Sequence, residues 1–311
     1  MESAYRIETV VKSCVFAGDG PNLEVPGARI ATMSTQDEKG RAFRALHQRD
    51  RAFIIPNPWD VGSARILAQL GFEALATTSM GYAFSKGRRD GNITRDETLE
   101  HAREIVAATE LPVSADLENC FGDKPEVAAE TIRLAGETGL VGGSIEDYSG
   151  RMDRPIYELE HAAERVSAAA KAAHTLPFAF TLTARAENYL HGCPDIKDTI
   201  KRLQAFQEAG ADVLYAPGLI TKDDIAAVVS SVDRPVNVVM GLRGVQLTLV
   251  ELSAMGVKRI SVGSALARTA LGAFLRAARE MQEHGTFTFA KDAANPREIG
   301  AMFETVNNQS E

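Results

Sequence analysis

PVSADLENCFGDKPEVAAETIRLAGETGLVGGSIED, residues 112–147, decides the fold. It opens on PVSADLE (112–118), apolar until its end, and passes through the helical pattern EVAAETIRLAGETG (126–139). It then enters GGSIED (142–147), small and apolar until its terminal acids. Two near-continuous apolar strands joined by an amphipathic helix indicate parallel pairing, with the helix covering the outer face of a sheet. Gly139 sits where a helix C-terminal cap is expected.

The same unit recurs along the chain. Its other strand-like runs are AFIIPNP (52–58), EALATTS (73–79), FAFTLTARAE (178–187), DVLYAPG (212–218), PVNVVMG (235–241) and RISVGSA (259–265), which makes eight in all. Helical patterns such as VGSARILAQLGF, RDETLEHAREIVAAT, ELEHAAERVSAAAKAA and IKDTIKRLQAFQEAG separate them. Eight such units favour an α/β fold of the (β/α)8 TIM-barrel type. A doubly wound open sheet is the rival, but no G-x-G-x-x-G follows the first strand. Three regions follow. Residues 1–32, with the turn-rich GDGPNLEVPG, are expected to be a poorly ordered extension, residues 33–285 the barrel, and residues 286–311 a C-terminal helix or tail. Helical patterning starts at Ser34, so Met33 offers an alternative start of the compact protein.

With 45% hydrophobic and 24% charged residues, the 311-residue chain has the composition of a globular protein. A net charge of -8 without a Lys/Arg cluster argues against a nucleic-acid partner. No apolar run approaches bilayer length and no signal-peptide pattern opens the chain, so neither membrane nor export is indicated. Cys14, Cys120 and Cys193 form no CxxC pair, and a reducing cytoplasm fits them.

In such a barrel the strand ends gather at one mouth. They supply Asn57, Asp60, Thr78, Ser79, Asp116, Glu118, Glu146, Asp147, Arg185, Glu187, Asn188, Tyr215, Asn237, Arg243 and Ser264. Asp116 and Glu118 alternate along one strand and so point the same way, and Glu146 ends the neighbouring strand. Converging carboxylates either protonate or bind a cation. Hard oxygen donors without a His or Cys cluster suit Mg2+ or Mn2+, not zinc. A salt bridge to Arg185 would satisfy one acid alone; the constellation favours a metal. Cys120 reads as a packed thiol, and Asp60 as the cap of the helix that follows it. The glycine- and serine-bearing turns MGLRG and VGSALAR are weaker anion-cradle candidates, and of the histidines only His191 falls near the mouth.

These motifs, in this order, resemble the isocitrate lyase and phosphoenolpyruvate mutase superfamily over roughly residues 52–278. PVSADLENCFG resembles its metal stretch, D-A-D-x-G-x-G, with Asp116 and Glu118 at the acidic positions; GGSIED supplies Glu146, TLTARAEN the strand-5 arginine Arg185, and GRRDG an acid near the metal's water shell, Asp90. ATTSMGYA falls where the family holds a substrate carboxylate, which implies substrate binding by Thr78, Ser79 and Gly81, with Asn188 beside them. The resemblance implies catalytic roles for Arg185, Glu146 and Asp90 and metal binding by Asp116, Glu118 and Glu146. It also implies a Mg2+-dependent (or Mn2+-dependent) carbon-carbon lyase acting on a small α-keto or 2-hydroxy carboxylate through an enolate. A homo-oligomer, dimer or tetramer, is expected, with the last helix a candidate for exchange between subunits. The lyases' K-[KR]-C-G-H gating loop is missing: IEDYSGRMDRPIYELEHAAERV contains no cysteine. Oxaloacetate-type decarboxylation or hydrolysis, phosphonopyruvate chemistry and a non-enzymatic dicarboxylate sensor stay open as alternatives.

Overall fold

The structure, a computed structural model, describes residues 34–304 apart from Arg243 and Val245. The extension expected over residues 1–32 lies outside the described residues. Eight short strands, β1 (Phe53–Ile55), β2 (Leu75–Ala76), β3 (Val113–Ala115), β4 (Gly142–Glu146), β5 (Thr181–Arg185), β6 (Val213–Tyr215), β7 (Val236–Val239) and β8 (Arg259–Ser261), pair in parallel in the order β1-β8-β7-β6-β5-β4-β3-β2. Each falls inside the run read from the sequence. The ring closes between β1 and β2, where Ala76 N–H donates to Pro56 O (3.1 Å) and Asn57 Nδ2 to Thr77 O (3.0 Å).

Eleven described helices clothe and extend this ring: α1 (Gln36–Leu46), α2 (Val61–Gln69), α3 (Ser79–Ser85), α4 (Arg95–Ala107), α5 (Pro125–Gly136), α6 (Leu159–His174), α7 (Ile196–Glu208), α8 (Lys222–Ser230), α9 (Leu249–Ala254), α10 (Ala265–His284) and α11 (Pro296–Ala301). Their starts are chemically marked. Thr35 and Glu38 form a reciprocal capping box on α1, and Asp60 caps α2 by accepting from Ser63 N–H at 2.7 Å. No helix of the described residues is long and apolar enough to cross a membrane.

The main core lies between strands and helices. A second cluster, Phe43, Leu46, Phe53, Ile55, Ala74 and Val141, closes the floor of the barrel under α1. The helix lies so close that a Cβ on Gly40 would stand 2.2 Å from Ala179 O, which only glycine avoids. The 20-residue α10 buries only Ala267 and leaves Leu271, Phe274, Leu275 and Met281 exposed.

Candidate active site

Register places the chemistry along one row. Glu146 on β4 pairs with Arg185 on β5, Arg185 with Tyr215 on β6, Tyr215 with Asn237 on β7, and Asn237 with Arg259 on β8. All five line one cavity of about 1270 Å3 that runs from the C-terminal mouth into the barrel. Arg185 is its hub: Nη1 donates to Asp116 Oδ1 (2.8 Å) and Nε to Glu187 Oε1 (2.7 Å), and Nη2 lies 3.2 Å from Glu146 Oε2. Its guanidinium stands 5.3 Å from the Tyr215 ring centre. Burial works against the Arg185 charge, but Glu187, Glu146 and Asp116 override it and hold the pKa well above its ordinary value.

The acids around this hub are set by the turn after β3. Asp116 accepts Ser79 N–H on Oδ2 (3.2 Å), and its own N–H donates to Thr77 Oγ1 (3.0 Å). Beyond it the chain enters the left-handed region three times without glycine, at Glu118 (φ 49°), Cys120 (φ 59°) and Phe121 (φ 62°). Such backbone is held only where the surroundings determine it. Arg165 of α6 provides that restraint: it is 1% exposed and donates to the carbonyls of Glu146 (3.1 Å), Gly122 (3.0 Å) and Asn119, with its guanidinium 4.4 Å from the Tyr157 ring centre. Thr131 Oγ1 adds a bond to Cys120 O at 2.9 Å.

The result is a surplus of buried negative charge. Burial, then the charges of Asp116 and Asp90, push Glu118 up to about 7 against the pull of Arg185. Burial and the neighbouring Asp116 also raise Asp90, although a Ser79 hydrogen bond, Arg185 and a Gly91 backbone bond oppose them. Glu146 is held above the carboxylate range chiefly by burial, despite Arg185. Glu118 Oε1 is buried without a hydrogen-bond partner. Among the described residues no three His, Cys, Asp or Glu side chains already converge as a metal cage. The expected set of Asp116, Glu118 and Glu146 is not preassembled, because Arg185 draws Asp116 and Glu146 to itself. Mg2+ commonly takes only one or two carboxylates and completes its octahedron with water and substrate. The donor set, all hard oxygen with one carboxylate atom orphaned, fits such a cation.

Of the residues given a catalytic, substrate or metal role from sequence, Asp90, Asp116, Glu118, Glu146, Arg185, Thr78 and Ser79 all line the cavity. Two do not. Asn188 is fully buried beside the mouth, where Nδ2 donates to Cys193 O, Asp195 O and Thr199 Oγ1; it clamps the loop between β5 and α7. Gly81 N–H is taken by Thr78 Oγ1 (3.3 Å), and a Cβ at Gly81 would meet Thr78 Cγ2 at 2.6 Å, so this glycine serves close packing. The VGSALAR turn also has its amides engaged, since Val262 and Gly263 N–H both donate to Asn57 Oδ1 at 2.9 Å. Arg243 lies outside the described residues. Cys120 is buried, and burial pushes its thiol up to about 12. Its left-handed φ falls where the metal stretch D-A-D-x-G-x-G carries glycine.

Sequence reasoning passed over Arg165, Tyr148 and Arg259. The ring of Tyr148 stacks on His191 (centroids 3.6 Å, interplanar 5°), and both line the mouth, with His191 Nε2 3.7 Å from Glu187 Oε2. The position of Tyr148 directly after IED was the available signal. A lone arginine in the alanine-rich pattern of α6 was the signal for Arg165.

Comparison with known proteins agrees with the barrel fold. Residues 43–282 match the phosphoenolpyruvate phosphomutase family. A Burkholderia cenocepacia J2315 structure provisionally named a lyase/mutase superposes with a TM-score of 0.85 at 63% identity, covering 87% of this chain and 97% of that one. An uncharacterized protein of Mycobacterium tuberculosis (strain ATCC 25618 / H37Rv) is 32% identical over 244 residues, 78% of this chain and 89% of that protein. The 2-methylisocitrate lyase of Halalkalibacterium halodurans is 29% identical over 208 residues, 65% of this chain and 67% of the lyase. Barrel, acid turn and family match together make the chain a member of the phosphoenolpyruvate phosphomutase family, within the PEP mutase/isocitrate lyase superfamily of enzymes.

Proposed function

We propose that this enzyme cleaves a C–C bond in a small 2-hydroxy or α-keto carboxylate of the 2-methylisocitrate or 2,3-dimethylmalate kind, through an enolate, with Mg2+ or Mn2+. The observation that carries this reading is the partnerless Glu118 Oε1 beside Asp116 and Asp90 at the cavity mouth. Asp116 and Glu118 would hold the cation, with Glu146 behind them. Bound there, a divalent cation supplies Lewis-acid polarisation of substrate oxygens. Arg185 fixes Asp116, Glu146 and Glu187 in place and sets positive charge beside the site of developing negative charge. Asp90, raised by burial and bonded to the Ser79 side chain, is the carboxyl that would exchange a proton within the cavity.

A second reading, decarboxylation or hydrolysis of an oxaloacetate-like substrate, is favoured by one observation. Cys120 is sealed in the core with its thiol pushed up to about 12, and the exposed Cys193 does not line the cavity, so no described cysteine is placed as an acid. Phosphonopyruvate chemistry ranks after it. The uncovered apolar residues of α10 support a homo-oligomer, dimer or tetramer.

The test is a screen of 2-methylisocitrate, 2,3-dimethylmalate, isocitrate, oxaloacetate and phosphonopyruvate with and without Mg2+, reading released keto acid, with Asp116→Ala as the blank. Turnover that disappears with chelator and in the variant is expected. Metal-dependent binding of a dicarboxylate without turnover would replace the enzyme reading with a sensor.

A further inference from the structure

Two arginines of the barrel strands, Arg185 and Arg259, line the cavity, and they are in opposite states. Arg185 has Nε, Nη1 and Nη2 each facing a carboxylate, so it has little left to offer a substrate. Arg259, at the far end of the same hydrogen-bonded row, has no carboxylate within salt-bridge distance among the described residues. Its Nε donates to Asn237 Oδ1 (2.9 Å), and Asn237 is itself oriented by donating Nδ2 to Ser261 Oγ (3.0 Å). Its Nη1 is buried with no partner.

The described surroundings supply no counter-charge. Phe53 is its register partner on β1. His47, on the floor side, is kept neutral: burial first, then the charge of Arg259, lowers its imidazole to about 3. The Tyr215 phenol is pushed above its ordinary value by burial and so stays protonated. Burial lowers Arg259 itself only to about 10, which leaves it charged at neutral pH. A desolvated guanidinium with a free, oriented N–H edge is a receptor for a planar oxyanion.

Building on the metal-dependent reading above, we propose that Arg259 receives a second anionic group of the substrate, a carboxylate carried at the end of the molecule away from the metal-binding end. The site is then selective for dianionic 2-hydroxy or 2-keto acids over monoanionic ones. Arg259 is the specificity residue, and Asn237 and Ser261 position it.

The test is titration calorimetry of the full chain in Mg2+ with three ligands: oxalate, whose adjacent carboxylates would both be engaged at the metal end; malate, which adds a distal carboxylate; and the 4-amide of malate, its monoanionic isostere with an uncharged distal group. Arg259→Gln should weaken malate about 10- to 100-fold, the range for loss of a charge-assisted contact, and leave oxalate within about threefold. Arg259→Lys should recover part of the malate loss. Equal weakening of both ligands, or none for malate, overturns the inference and leaves the metal-dependent reading standing. Failure of the wild-type protein to bind oxalate with Mg2+ overturns both. If Arg259→Gln does not fold, the wild-type protein decides: malate must bind at least about tenfold more tightly than its 4-amide, and equal affinities overturn the inference.

Discussion

At the floor of the barrel, Phe43, His47 and Phe53 meet edge to face with ring centroids 4.9, 5.0 and 6.4 Å apart, and the one titratable group among them is kept neutral. At the mouth, Asp90, Asp116, Glu118, Glu146 and Glu187 crowd one cavity around Arg185. The same eight strands build both ends, because inward side chains alternate along each strand and strand tilt carries one hydrogen-bonded row from the mouth at Glu146 to the floor at Arg259. Stability and chemistry are thereby separated along the barrel axis. Packed aromatic and aliphatic side chains hold the ring closed at one end, and that closure lets repulsion among carboxylates persist at the other.

The comparison breaks most readily at the floor. Phe43 is 0% exposed and packs against Gly142, whose Cβ, if present, would lie 2.9 Å from Phe43 Cε1. Phe43→Ala should cost about 3–5 kcal/mol in urea unfolding, the range for emptying an aromatic site in a packed core. Oxalate affinity of the folded fraction should stay within about twofold. Loss of affinity in step with stability would show that the two ends are not separable.

At the mouth the sign reverses, since removing a charge should stabilise. Glu118 sits at about 7 in the folded protein against an ordinary 4.5, so the folded state binds more protons between those values. Metal-free stability therefore falls as pH rises through that window, by about 3 kcal/mol from this group. Glu118→Gln should flatten that fall, and Mg2+ should offset it in the wild type but not in the variant. Mg2+ affinity should rise with pH up to about 7, because the cation competes with the proton. A thermal-unfolding series from pH 5 to 8 with and without Mg2+ checks all three. A slope unchanged by Glu118→Gln would place the excess charge elsewhere.

Apolar runs and the Gly-capped helices between them were enough to locate all eight strands, because parallel strands buried on both faces leave a continuous signal. Asp116, Glu118, Glu146 and Arg185 were legible for the related reason that a charge at the end of such a run has only the mouth to face. Asn188 had the same signature, yet it turns back into its own loop, since a buried amide takes the nearest carbonyls and the β5–α7 loop offers two. Arg259 was illegible because it begins a strand, where position assigns a residue to the floor. Only register and the reach of a long side chain bring it into the cavity.

Cys120 offers the smallest and sharpest separation of structure from chemistry. Its φ of 59° is one that glycine adopts freely, its side chain is fully buried, and its hydrogen bonds run through the backbone, from its N–H to Leu117 O and from Thr131 Oγ1 to its carbonyl. Cys120→Gly should relieve left-handed strain of about 1 kcal/mol or more. Against this stand loss of a small buried side chain and the greater freedom of glycine in the unfolded chain, each of about 1 kcal/mol. The net change in stability should be within about 1 kcal/mol. Turnover and oxalate affinity should stay within about twofold, because Arg165 and Thr131 hold the turn by its carbonyls, which the substitution leaves in place. A loss of turnover above about 100-fold with oxalate binding intact would instead make the thiol a proton carrier, since removing an acid or base that acts in the chemical step costs about 100- to 10,000-fold. The backbone of the turn, not its sulfur, would otherwise be what the site requires at this position.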